Sequence, residues 1–340
     1  MATLWFCLAA IMIAGYVLLD GFDLGAGIVQ LLVARSESEK TQVLKSIGGV
    51  WDGNEVWLMA AGGTLFFAFP ALYASAFSGF YLSLMMVLWL LILRGISIEF
   101  RHQFYGPLWQ PLWSVVFGGA SAVLAAVFGI ALGNVVRGVP LDANGYFFLP
   151  LWTDFMPGAR PGIIDWYTLL VGIASFLALA VHGSLWVVLK TAGNLREQTR
   201  SFAAKCWVGL VCITLLISAV SFSIQPNLLR QFRSNPWGAI FPALALAGLI
   251  GMRVLSSRQQ DLRAFVASGL YLVGMLTSAA FGVFPNVLPS NTAPNLSLTI
   301  FNSAAASYGL VIGLCWFIPG ILLATAYSVV VYRHFAGKVE

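Results

Sequence analysis

Nine apolar stretches, each about long enough to cross the hydrocarbon core of a bilayer, recur along this 340-residue chain. A spanning helix takes roughly 20 consecutive apolar residues. The candidates fall at about 3–34, 54–71, 73–99, 111–136, 164–190, 202–224, 236–256, 262–284 and 304–334. Composition agrees: 59% of residues are hydrophobic and 9% charged, where a soluble domain carries roughly 25% charged. The expected class is an all-α polytopic membrane protein, one integral domain over 1–340 with no soluble part long enough to fold alone. No Lys or Arg precedes Arg35 and no A-x-A pattern follows the first stretch, so it reads as a retained span rather than a signal peptide.

The break between the second and third spans rests on Phe69-Pro70, because proline ends or kinks a helix. Nine crossings put the termini on opposite sides, and basic residues choose which. With the N-terminus outside and the C-terminus cytoplasmic, only Arg137, Arg160, Arg230 and Arg233 of the 18 lysines and arginines lie outside. The net charge of +5 follows from this loop placement, and the dispersed basic residues give no support to nucleic-acid binding. The long connection 137–163 then falls outside, as does the uncharged, proline-containing stretch 284–295, a stiff cap or a partner contact. Asp20-Gly21 in the first span and His182-Gly183 in the fifth sit at similar depths. That hints at two four-helix units plus one peripheral helix.

Two acidic clusters interrupt the apolar pattern. Asp-Gly-Phe-Asp-Leu-Gly-Ala-Gly occupies 20–27, and Trp-Asp-Gly-Asn-Glu-Val-Trp-Leu occupies 51–58. Carboxylates are costly in a membrane and by default suggest a proton or ion path. Asp20 and Asp23, three apart, share a helical face. Span one runs inward and span two returns, which brings them near Asp52 and Glu55, with Arg94 and Glu99 arriving at the same level as charge partners. The result is a polar funnel open to the cytoplasm. Each feature has a plainer structural reading. Asp52 and Glu55 fit a helix capping box, Gly21 and Gly25 form a GxxxG packing motif, Arg94 and Glu99 suit an interface anchor, and Trp51 and Trp57 suit a membrane belt. The clustering favours a functional role.

The chain offers no redox centre of its own. Of His102, His182 and His334 only His182 lies at depth, so no pair of histidines faces across the bundle for haem, and His182 reads as a satisfied bundle residue. Cys7, Cys206, Cys212 and Cys315 form no CxxC and read as buried free thiols, with no metal site. Phosphate-loop, dinucleotide, nucleophile-elbow and HExxH zinc motifs are missing.

At the acidic clusters the chain resembles subunit II of the cytochrome bd-type quinol oxidases. The resemblance continues through Ala-Gly-Gly-Thr-Leu-Phe-Phe-Ala-Phe-Pro (61–70), Ala-Phe-Ser-Gly-Phe-Tyr (76–81) and Leu-Arg-Gly-Ile-Ser-Ile-Glu-Phe-Arg (93–101). Gly-Asn-Val-Val-Arg-Gly-Val-Pro (133–140) and Phe-Pro-Asn-Val-Leu-Pro-Ser (284–290) extend it over essentially the whole chain. It implies a nine-helix subunit of the bacterial inner membrane, paired obligately with a larger, haem-bearing subunit I, with small single-helix subunits as further candidates. Two b-type haems, haem d and the quinol site are expected in subunit I, with no haem ligand or catalytic residue here. The complex would oxidise quinol and reduce dioxygen to water, subunit II stabilising its partner and offering a proton path.

On that resemblance Asp52 is the channel carboxylate, Trp51 its neighbour, and Asp20 and Asp23 the acids of the first helix. Phe301-Asn302 stands where some members have Trp-Asp, so no acidic role falls there. Some members hold a structural quinone, for which no residue pattern appears here. A free-standing proton- or cation-coupled transporter built on the same acids is the alternative. Transporters often repeat broken helices in both halves, and the second half here has no matching acidic cluster.

Overall fold

The computed structural model describes residues 1–158 and 160–339. It is almost wholly helical. In chain order the helices are α1 (Ala2–Leu32), α2 (Glu37–Ile47), α3 (Trp51–Ala68), α4 (Pro70–Gly79), α5 (Tyr81–Phe100) and α6 (Trp109–Arg137). The second half adds α7 (Trp166–Lys190), α8 (Gly193–Ile224), α9 (Pro226–Ser234), α10 (Ile240–Ser257), α11 (Asp261–Val283) and α12 (Ser307–His334). A two-stranded antiparallel pair, β1 (Asn286–Leu288) and β2 (Leu298–Thr299), lies between α11 and α12. Among the described residues, eight helical segments are long and apolar enough to cross a membrane: α1, α5, α6, α7, α8, Pro236–Ser257, α11 and α12. The chain is thus a polytopic helical membrane protein. α3 falls outside that set because its first turns hold Asp52, Asn54 and Glu55.

Burial sorts these helices. In the most apolar window of α7, 78% of residues are buried, against 6% in α12, so α7 is central and α12 peripheral. α7 crosses α1 at two glycines in backbone contact. A Cβ on Gly25 would stand 2.1 Å from the Leu179 carbonyl oxygen, and one on Gly183 would stand 2.3 Å from the Gly25 carbonyl carbon. Without water to drive helices together in a bilayer, this close approach and its dispersion contacts hold them. Gly25 does serve helix packing, with Gly183 as its partner.

Two expectations need correction. The third span does not run unbroken over 73–99. Phe69-Pro70 ends α3 as expected, but the helix breaks again at Phe80, between α4 and α5. The cause is the remote loop after α6. Phe147 packs where a Gly79 Cβ would stand, 2.3 Å from its ring, and the Leu149 N–H donates to the Gly79 carbonyl at 3.1 Å. That carbonyl is engaged by the loop just where the helix turns. Likewise α8 starts at Gly193 rather than 202, its first turns being polar.

The segment between spans one and two forms α2, a polar helix that hydropathy does not reveal. Ser36 caps it, accepting from Glu39 N–H, while Glu39 accepts from Ser36 N–H, both at 3.1 Å, a reciprocal capping box. Val43, Leu44 and Ile47 dock its apolar side. Arg101 clamps its first turn, donating to Glu37 at 2.8 Å and Thr41 at 3.2 Å. At the opposite end, the loop after α6 and the strands close the bundle. Val139 N–H donates to Pro289 O and Asn291 N–H to Val139 O, both at 3.0 Å. Leu141, Phe147, Leu149, Leu288 and Ile300 form a core beneath them with Trp5 and Phe69. The stretch 284–295 is therefore a cap on the chain itself.

Candidate functional site

Toward the α2 end, α1 presents two carboxylates on one face, and both are fully buried. Asp20 takes a two-pronged ion pair from Arg94 of α5. Nη1 donates to Oδ2 at 2.8 Å and Nη2 donates to Oδ1. Asp23, one turn on, accepts from the Asn54 amide at 2.7 Å. The Asn54 Oδ1 in turn accepts from the Tyr332 hydroxyl of α12 at 2.8 Å. Four helices thus meet at this cluster.

The cluster is under-saturated. Asp23 Oδ1, Arg94 Nε and the Tyr16 hydroxyl are all buried without a hydrogen-bond partner. Leaving such a group unpaired costs about 1–3 kcal/mol. Sites of this kind call for bound water or a shared proton. Gln30 Oε1, about two turns further along α1, is a fourth such atom.

The expected residues are not all assembled. Asp20, Asp23 and Arg94 come together, and Glu55 lies half-buried on α3. Asp52 does not join them. It is exposed, with Oδ1 accepting from the adjacent Gly53 N–H at 2.7 Å. The capping-box reading fails here: Val50 is the residue before the helix, and no side chain caps α3. Trp51 is half-buried, its ring 3.7 Å from where a Gly95 Cβ would stand on α5. Trp57 packs on Gly15 in the same way, at 3.2 Å.

Glu99 is exposed and makes no pair with Arg94. Five residues along a helix of 3.6 per turn turn the side chain through about 140°, so the two point apart. Asn54 and Tyr332 were missed. Asn54 lies inside the acidic octet, and helical spacing sets it beside Trp51, three residues back, and about 160° from Asp52. Nothing local marks Tyr332, which reaches the site only through tertiary packing.

His182 is fully buried between α1, α7 and α11. Its Nδ1 is 2.7 Å from Ser268 Oγ, its Nε2 is 3.0 Å from Leu18 O, and its ring stacks on Phe265 at 4.7 Å. With both nitrogens engaged, it is a packed bundle residue and does not suit haem ligation. His102 and His334 are exposed near the α2 end, so the histidines of this chain do not fit a haem site. Of the cysteines, Cys7, Cys212 and Cys315 are exposed on the apolar surface and Cys206 is half-buried, which corrects the buried-thiol reading. Among the described residues no group of three His, Cys, Asp or Glu could hold a metal.

A second buried ion pair occupies the strand end. Arg137, last residue of α6, pairs with Asp165, the residue that caps α7. Arg137 also donates to Asn134 Oδ1 at 2.6 Å, Gly162 O at 3.2 Å and Gly138 O at 3.3 Å. Asp165 Oδ1 accepts from the Thr168 N–H at 2.8 Å. No polar side-chain atom of this pair is left unpaired.

The chain has clear relatives. A profile of the family "Cytochrome bd terminal oxidase subunit II" matches residues 1–335. "Cytochrome bd-I ubiquinol oxidase subunit 2" of Escherichia coli (strain K12) is 30% identical, covering 99% of this chain and 94% of the relative. "Cytochrome bd ubiquinol oxidase subunit 2" of Bacillus subtilis (strain 168) is 29% identical, covering 99% and 97%. Among solved structures, a chain of the bd oxidase from Geobacillus thermodenitrificans matches with a TM-score of 0.76 over 98% of each chain. At 17% identity that likeness speaks for the fold.

Proposed function

This chain belongs to the cytochrome bd terminal oxidase subunit II family, and on that premise we propose that it is the non-haem subunit of a quinol:oxygen oxidoreductase in the bacterial inner membrane. Its obligate partner is the larger subunit I, which carries two b-type haems, haem d and the quinol site. Small single-helix subunits and a structural quinone fit the same assembly. The complex oxidises quinol and reduces dioxygen to water. The matches give the free-standing transporter no support.

In this reading the chain crosses the membrane nine times, with the N-terminus outside and the C-terminus in the cytoplasm. The broken α3–α4 segment makes the ninth crossing. The helices group as two four-helix units with α12 apart. The subunit stabilises its haem-bearing partner and conducts protons from the cytoplasm.

The observation that carries the proton path is the under-saturated cluster. Asp23 has one carboxylate oxygen held by Asn54 and the other open, facing no protein donor. The open oxygen is where a proton or water can be taken up. Tyr332 fixes Asn54, and Arg94 keeps Asp20 in place one turn away. Asp52, exposed at the start of α3, collects protons with Trp51 beside it, and the half-buried Glu55 lies between surface and interior. Asp52→Asn in the assembled oxidase should slow oxygen consumption with haem per protein unchanged. Unaltered turnover in a fully assembled variant would remove Asp52 from the path.

A further inference from the structure

At the strand end, α8 is followed by α9, a nine-residue helix with two unlike sides. Its apolar side is docked. Leu228 is buried and packs where a Gly282 Cβ would stand, 2.6 Å away, and Phe232 meets Phe281 with ring centres 5.1 Å apart. Its polar side, Asn227, Arg230, Gln231 and Ser234, follows helical spacing and lines a cavity of about 210 Å³. Phe284, Pro285 and Pro289 form part of the facing wall, and the Gln225 and Asn286 amides also line the space. The cavity sits where the apolar helices α8 and α11 end; near that end Trp237 packs on Phe281 at 4.9 Å and is 65% exposed, as in an interfacial tryptophan belt.

The charge around this cavity is unbalanced. No acid lines the cavity. Of the acids in the neighbouring loop, Asp165 is paired with Arg137, while Asp142 and Asp154 accept from backbone N–H groups of their own turns. Asp261 is tied to Arg196 and Arg200 at the far end of the bundle. Among the described residues no carboxylate lies within 4.0 Å of Arg230 or Arg233. Among the described residues the Arg230 side chain makes one hydrogen bond, a long one of 3.4 Å to Asn227 Oδ1. A guanidinium among amides and a hydroxyl, with no acid, suits a phosphate oxygen group. The apolar wall facing it suits the glycerol and acyl stem of such a lipid.

We propose that this cavity binds the headgroup of an anionic phospholipid in preference to a zwitterionic one, with Arg230 as the charged contact of its phosphate, Arg233 adding to the local positive field, and no carboxylate in the lining to hold a choline or ethanolamine cation. The site is independent of the proton-path reading.

The test uses the whole oxidase complex, placed in nanodiscs of phosphatidylcholine with and without phosphatidylglycerol. Phosphatidylglycerol should slow amide hydrogen exchange across 226–234 severalfold. Native mass spectrometry should find retained phosphatidylglycerol that R230Q/R233Q loses by about tenfold, the size of a lost charged contact. Equal lipid retention by variant and wild type would overturn the assignment. Equal exchange with and without phosphatidylglycerol in the wild type would do so too, and that arm stands even where the variant fails to assemble. Protection by inorganic phosphate added to phosphatidylcholine discs, with none from phosphatidylglycerol, would overturn the lipid assignment in favour of a soluble anion.

Discussion

Arg137–Asp165 at the strand end and Arg94–Asp20 toward the α2 end use the same two residue types, and both are sequestered. Around Arg137, every guanidinium nitrogen and both Asp165 oxygens have partners, two of them supplied by loop carbonyls. Around Arg94, one guanidinium nitrogen is open, and so are an oxygen of Asp23 and the Tyr16 hydroxyl. A saturated pair ties helix ends and has no capacity to exchange a proton. An unsaturated one costs stability and leaves room for water. Identical chemistry thus divides into a saturated clamp and the unsaturated cluster proposed as the proton path, according to the groups nearby.

The largest way to break the comparison is to remove one member of the clamp. Arg137→Met strands Asp165 in the interior, which costs about 3–5 kcal/mol. The subunit should accumulate poorly and melt early in detergent, while whatever assembles keeps its turnover per haem. Equal loss of turnover per haem would erase the distinction between the two pairs. Asp23→Asn sharpens it from the other side. The amide keeps the shape and the Asn54 neighbour but cannot ionise, so oxygen consumption should fall about tenfold, roughly 1.4 kcal/mol on the barrier. Haem content should hold, and a thermal shift as large as that of Arg137→Met would make Asp23 structural.

Tyr332→Phe removes one hydrogen bond to Asn54, worth about 1 kcal/mol. It should slow turnover by a factor of about five or less, and a variant indistinguishable from wild type would detach α12 from the site. The smallest effect belongs to a pair that is open to solvent on one side. At Glu37, partial burial alone would raise the carboxyl. The bonds to Lys40 and Arg101 outweigh it and hold the group below its ordinary value of 4.5. A lowered folded-state value stabilises above the unfolded one and is lost as pH falls through the folded one. Hydrogen exchange over 37–47 should therefore quicken below about pH 4.5, and Glu37→Gln should abolish that pH dependence.

The acidic cluster is partly legible in the sequence. The three-residue spacing of Asp20 and Asp23, the stop at Phe69-Pro70 and the small residues of α1 are local facts, and local facts survive folding. A helical wheel of the octet sets Asn54 and Asp52 on opposite sides, and charge alone singles out Asp52. The break at Phe80 depends on Phe147 and Leu149, about 70 residues away, and no window along the chain contains both. The Arg137–Asp165 clamp was hidden for the same reason. α2 escaped because a search for apolar length passes over a helix whose stability comes from its cap and the Arg101 contact.

The contact between Gly25 and Gly183 bears on how such a subunit can change. The depth of Asp23, two residues away, is pinned where two main chains touch, with no side chain acting as spacer. Apolar residues around that crossing can be exchanged in size without displacing the acid, because the spacer has no size to alter. The same economy makes the crossing brittle: a single methyl on either glycine would lever two helices apart, and the carboxylates with them. The sizes of the apolar residues around this crossing are therefore free to drift, while the polar interior answers to two hydrogen atoms.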